Sequence, residues 1–277
     1  MQSTNPVFTR SEPFSAQRTQ SQTSDAYGQP NPYGGYGQPG LVPPQQYAPQ
    51  QPAGGLMTID DVITKTAITM GVLFVSAALA FLFMPPTLLY PALIVSGLVG
   101  FVTVLFVAFR RTINPALVLV YSAIEGVFIG ALSLLFELMF PGIVVQAVLA
   151  TFVAAGATLA AYKGLRIKVT SRFRKIVTIG TFAFAGLVLV NFVLALVGVD
   201  LGIRSIGGGF NLLAIGISII ALVLAVANLI MDFDYVEQGI RNRAPASESW
   251  RAAFGLTVTM VWLYTEILRI LSYFRSN

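Results

Sequence analysis

The side chains through which this chain could do chemistry are carboxylates set in or beside apolar runs. Near the C-terminus stand Ile230-Met231-Asp232-Phe233-Asp234 and Val261-Trp262-Leu263-Tyr264-Thr265-Glu266-Ile267, and earlier comes Ile124-Glu125-Gly126. Charge inside a membrane-spanning run is unfavourable, so such residues mark ion paths, proton relays or buried pairs. Cysteine and histidine are absent. That excludes disulfides, thiolate chemistry, imidazole metal sites and Ser-His or Cys-His nucleophiles. Carboxylates are left as the only side chains able to exchange protons near neutral pH. As hard oxygen ligands they also suit calcium.

Spacing narrows their roles. Asp232 and Asp234, two apart, point about 200° from each other on a helix. One of them is therefore expected to face the bundle interior. Glu237 follows at the solvated end. Glu266 has Arg269 at i+3, a spacing at which the two meet on one face as a self-neutralising pair. The alternative is that Glu266 faces the sixth run and shares a proton with an aspartate there, because two touching carboxylates do not both ionise readily. Counted from Arg251, Glu266 lies roughly 22 Å into its helix, whereas the aspartates stand near an end of theirs. Glu125 is near mid-membrane, either lining a pathway or buried against a neighbouring helix. Gly126 and Gly130, four apart, form a small-residue face for close packing. Asn191, Asn228 and Glu137 are expected to hydrogen-bond between helices. Asp60 and Asp61 follow Thr58 in the pattern of a helix start, where the dipole favours anions.

The elements that must position these residues are transmembrane helices. Of 277 residues, 55% are apolar and 10% charged, against roughly 25% charged in a soluble domain, and the mean hydropathy is +0.74. Seven apolar runs fall near 66–84, 88–109, 115–138, 142–162, 174–198, 210–231 and 253–274. Each is close to the ~20 residues that cross the hydrocarbon as a helix. Pro85-Pro86, Pro115, Pro141-Gly142 and Gly207-Gly208-Gly209 punctuate them. Residues 57–277 thus predict an all-α, polytopic bundle of seven transmembrane helices. Lys65, Arg110, Arg111, Lys163, Arg166, Lys168, Arg172, Arg174, Lys175, Arg241, Arg243 and Arg251 flank the first run or fill the loops after the second, fourth and sixth. That bias predicts a cytoplasmic N-terminus. The net charge of +5 belongs to these loops and does not suggest nucleic-acid binding. Residues 1–56, rich in Pro, Gln, Gly, Ser and Tyr, have too few aliphatic side chains to offset ordering entropy and predict a disordered tail. Its Tyr and Pro also suit a protein partner.

At Glu125-Gly126, at Phe233-Asp234 with Gln238 and Ile240, and at Tyr264-Thr265-Glu266-Ile267, the chain resembles the Bax inhibitor-1 family of membrane proteins. The resemblance covers about 57–274, and the long Pro/Gln/Tyr-rich tail is similar to those of its actinobacterial branch. It implies a bundle with a central helix surrounded by the others. It also implies a calcium leak gated by protonation of an acidic pair from the last two spans. Carried over, that pair is Asp234, or Asp232, with Glu266. The seventh-span acid is usually aspartate in the family, and the loop between the acids is longer here. Arg110 and Arg111 stand where some members have an arginine that pairs with the acids.

The expected function is a pH-regulated calcium leak channel of the plasma membrane. Asp234 or Asp232 with Glu266 would form its gate and Glu125 its ion path, with no cofactor. The rival expectations are a proton-coupled transporter of a small solute and a non-transporting stress-survival protein acting through its tail or loops. An enzyme is not expected, because the Gly-x-Gly-Asp context of intramembrane aspartyl proteases is absent. Partners are the bilayer, calcium ions and protons.

Overall fold

The computed structural model describes residues 55–110, 112–199, 201–204 and 212–276. The tail expectation, apart from Gly55 and Leu56, and the Arg111 assignment lie outside the described residues. Seven helices follow in order: α1 (Ile59–Phe83), α2 (Leu89–Ala108), α3 (Pro115–Met139), α4 (Ile143–Gly164), α5 (Ser171–Leu196), α6 (Leu212–Arg241) and α7 (Glu248–Arg275). A 3-10 turn at Pro86–Leu88 precedes α2, and no strand occurs among the described residues. All seven helices are long and apolar enough to cross a membrane. The protein is a multi-pass membrane protein.

Local chemistry sets the boundaries. Thr58 caps α1, its hydroxyl accepting from the Asp61 N–H at 3.2 Å, and Asp60 and Asp61 occupy the first turn. Asn114 caps α3 ahead of Pro115, and Thr170 caps α5. Gly142 turns the chain between α3 and α4 at φ +81°, a left-handed conformation that glycine adopts freely. The Glu137 carboxylate accepts from the N–H groups of Gly142 and Val144. Glu137 therefore caps α4, where the sequence pattern had it bonding between helices.

The largest departure from the apolar runs is α6. The sixth run ends at 231, but the helix continues to Arg241. Asp232 and Asp234 accordingly lie within a helix, more than one turn from its end. The continuation is supported by the segment that precedes α1. Met57, Val236 and Ala252 pack together, and the Met57 N–H donates to the Ala244 carbonyl at 2.8 Å. Leu56 bridges to Pro245, so residues just before α1 are stitched to the α6–α7 connection.

The core is built on α7, which is surrounded by α6, α1, α4 and α3 and is the most buried of the spans. This is the central helix that the family resemblance implies. The second buried span is α3, packed against α1 and α2. Gly126 and Gly130 let it approach α1 closely. A Cβ on Gly126 would fall 2.4 Å from the Leu73 carbonyl oxygen, and one on Gly130 would fall 2.3 Å from that of Ala77. Hydroxyl pairs fix α7 laterally: Thr69 with Thr257 at 3.0 Å and Ser133 with Tyr264 at 2.7 Å. By contrast α5 packs chiefly on α6, helped by the Asn228 amide donating to the Thr181 hydroxyl at 2.7 Å, and touches α7 through the Phe184 and Trp262 rings.

Candidate functional site

The acids of the last two spans are held separately, each by its own partner. Asp234 is buried, 6% exposed, and turns to α5. Its carboxylate accepts from Arg174 at 2.9 Å and from the Gln238 amide one turn on. Asp232 turns to α7, where the Thr259 hydroxyl donates to its Oδ2 at 2.6 Å. Gly255, one turn below Thr259, leaves room for it, since a Cβ there would stand 3.3 Å from Asp232 Oδ1. The two aspartates thus face different helices, as their spacing requires, and the one that meets α7 is Asp232.

Glu266 is fully buried and far from both. With Asp232 level with Thr259, Glu266 stands roughly 10 Å further along α7. Its Oε1 takes a hydrogen bond from Arg204 Nη2 at 2.6 Å, an ion pair with both side chains almost wholly buried. The expected contact between Glu266 and a sixth-helix aspartate is therefore corrected. The helices run antiparallel, so an acid near the end of α6 meets the early turns of α7, and Glu266 comes too late in the helix. The Glu266–Arg269 pair is corrected as well. Arg269 Nη1 instead donates to the Arg204 carbonyl at 2.7 Å, so the i+3 neighbour holds the backbone of the residue that neutralises Glu266.

In the sequence Arg204 is only an isolated basic residue in a weakly charged loop. It comes from the connection between α5 and α6, and its guanidinium also lies over the Phe184 ring, 5.2 Å from the centroid. The signal available was its solitude: a lone arginine on a connection otherwise free of Lys and Arg, with a buried acid needing a partner.

Glu125 lies on α3 with its Oε2 against Gly100 of α2, where a Cβ would come within 2.8 Å. Arg110 stacks on Phe106 at 4.6 Å, and its carbonyl accepts from Arg251. It is not paired with the acids, because it sits past the end of α2 and is exposed. Among the described residues no group of three or more acids is close enough to hold a metal ion.

The Arg174–Asp234 pair should contribute little to stability despite its short distance. Arg174 is half exposed, 52% against 9% for Asp234, and an ion pair with one solvated partner contributes about 0–1 kcal/mol. Arg174→Gln is expected to lower the unfolding free energy by less than about 1 kcal/mol, with Gln238 retaining its hold on Asp234. Denaturant unfolding in detergent micelles checks this.

In chemical terms the bundle has two polar stations separated along α6 and α7. One holds an acid-hydroxyl contact, Asp232 with Thr259, beside an acid-guanidinium pair. The other holds a buried glutamate between two arginines. No curated protein matches the chain. The family model described as Bax inhibitor 1 like matches residues 5–276, reaching beyond the 57–274 over which the motifs carry the resemblance. The chain belongs to the Bax inhibitor 1 like family.

Proposed function

We propose that the protein is a pH-responsive leak pathway for cations, calcium foremost, in the plasma membrane. The observation that carries the reading is Asp232. It is a carboxylate on one membrane-spanning helix hydrogen-bonded to a hydroxyl on the next, with no ion-pair partner among the described residues. Ionised, it accepts from Thr259 and places a negative charge in the α6–α7 seam. Protonated, it is neutral and attracts no cation. Deprotonation thus favours cation entry and protonation disfavours it. Glu125, mid-span on α3, supplies a second attractive oxygen site. Calcium is the cargo on this reading, and singly spaced oxygen sites suit passage better than retention.

Orientation supports the same picture. Because successive helices alternate in direction, the basic residues Lys65, Arg110, Lys163, Arg174, Arg241 and Arg251 collect at the end where α1 begins. By the positive-inside rule that end faces the cytoplasm. The Asp232–Thr259 contact then lies toward the cytoplasm and Glu266 toward the outer side.

Calcium flux into liposomes carrying the purified full-length chain tests the proposal. Wild-type flux is expected to rise as pH rises. Asp232→Asn should flatten that dependence, and Thr259→Val, which removes the hydroxyl that Asp232 meets, should alter it. Unchanged flux and unchanged pH dependence in Asp232→Asn would sink the proposal.

A further inference from the structure

Glu266 carries an unfilled half. Its Oε1 meets Arg204, but its Oε2 is buried with no hydrogen-bond partner among the described residues, and the same is true of Arg204 Nη1. A guanidinium and a carboxylate normally meet as a fork, with two parallel hydrogen bonds. Here one bond is made and the second pair of atoms goes unused. Arg204 enters from a connection rather than a helix, and Arg269 holds its carbonyl at 2.7 Å.

The surroundings of that guanidinium are built by other elements. Glu266 comes from α7. Phe184, from α5, offers a ring face 5.2 Å away. Trp262, one turn before Glu266, stacks on Phe184 at 5.3 Å with an interplanar angle of 12° and backs it. A carboxylate beside a supported aromatic face is the chemistry that recognises a flat, delocalised cation.

We infer that Glu266 and the Phe184–Trp262 stack form a binding box for a planar monovalent cation of the guanidinium class, and that Arg204 is its tethered occupant. A free guanidinium, without the backbone tether, seats both carboxylate oxygens and satisfies Oε2. Withdrawal of Arg204 leaves the box ready for such a cation, while Arg269 stays on the backbone carbonyl of position 204. The same tethered charge blocks cations arriving from that end of the bundle. This last consequence rests on the leak reading, whereas the binding itself does not.

The experiment is chemical rescue in Arg204→Ala, with Arg204→Gln as a milder second variant. Two readouts are taken on the full-length chain: the thermal unfolding midpoint of the purified protein, and calcium flux in liposomes. The probe is guanidinium chloride at low millimolar concentration, compared with sodium chloride at equal ionic strength. Guanidinium is expected to raise the midpoint of either variant saturably and to restore wild-type closure of the flux. It should do neither in the wild type, whose box is filled, nor in Arg204→Ala/Glu266→Gln, whose carboxylate is gone. A guanidinium effect no larger than that of sodium on the midpoints of both single variants overturns the box, as does a gain that survives Glu266→Gln. A saturable midpoint shift without calcium flux in any variant upholds the box and removes the leak reading instead.

Discussion

Gly130→Leu is expected to yield no monodisperse folded protein, and Gly126→Leu to behave almost as badly. The reason is the approach of α3 to α1. A Cβ at Gly130 would lie 2.3 Å from the Ala77 carbonyl oxygen and 2.7 Å from the Ala80 Cβ. Those are backbone and near-backbone atoms, so no side-chain rotation relieves the clash, and the two helices must part. At Gly126 the nearest atom is the Ser76 hydroxyl oxygen, which can rotate, but the Leu73 carbonyl oxygen at 2.4 Å cannot. Overpacking a well-filled interior costs about 1–3 kcal/mol and sometimes more. Alanine at either glycine should already reach that range, with Gly130→Ala the worse of the two. Gly186→Ala in α5 and Gly216→Ala in α6 are matched controls, since an added methyl there meets nothing within 4 Å. Size-exclusion profiles and thermal midpoints of the four alanine variants check the ordering. Equal tolerance at Gly130 and Gly186 would mean that α3 and α1 do not pack as described.

The same two glycines show what the sequence made legible. Their spacing of four beside an apolar stripe announces a close helix contact, and the contact is there. Legibility was similar for the seven spans, because length and hydropathy both follow from a single strong constraint, the exclusion of charge from hydrocarbon. It failed at the end of α6. Hydropathy falls at Asp232, yet the helix persists to Arg241 because Val236 is buried against Met57 and Ala252. A tertiary contact from Met57, two residues before the first helix, decides that boundary, and no local pattern reports it.

The acids were legible as exceptional and illegible in their pairing. Asp232 and Asp234 had to face opposite ways, and they do. Which partner each finds depends on the depths at which antiparallel helices meet, and depth is a property of the packed bundle. Glu266 illustrates this most sharply. Two neutralising schemes were open from sequence, a shared proton with α6 and a local pair with Arg269. Its actual partner is Arg204, 62 residues away in sequence. Long-range ion pairs from loops leave almost no local trace.

That arrangement also dictates an asymmetry in what mutation does. Arg204, Glu266 and Arg269 carry two positive charges and one negative in a buried cluster. Glu266→Ala removes the only anion and leaves two buried guanidinium groups facing each other. Breaking a buried pair from one side costs about 3–5 kcal/mol, and repulsion between the remaining cations works in the same direction. Arg204→Ala instead leaves Glu266 with Arg269 one turn away, so the cluster becomes neutral. Its loss is that of one charged hydrogen bond and a stacked ring contact, about 1–3 kcal/mol. Glu266→Gln, which keeps shape and one acceptor oxygen, should fall between them. The double variant Arg204→Ala/Glu266→Ala should be less destabilised than the two losses added together, because removing Arg204 relieves the repulsion that Glu266→Ala creates. Unfolding of the four variants in detergent micelles measures the cycle. If Arg204→Ala proves as destabilising as Glu266→Ala, then Arg269 does not balance the glutamate, and the cluster's stability depends on the connection between α5 and α6 alone.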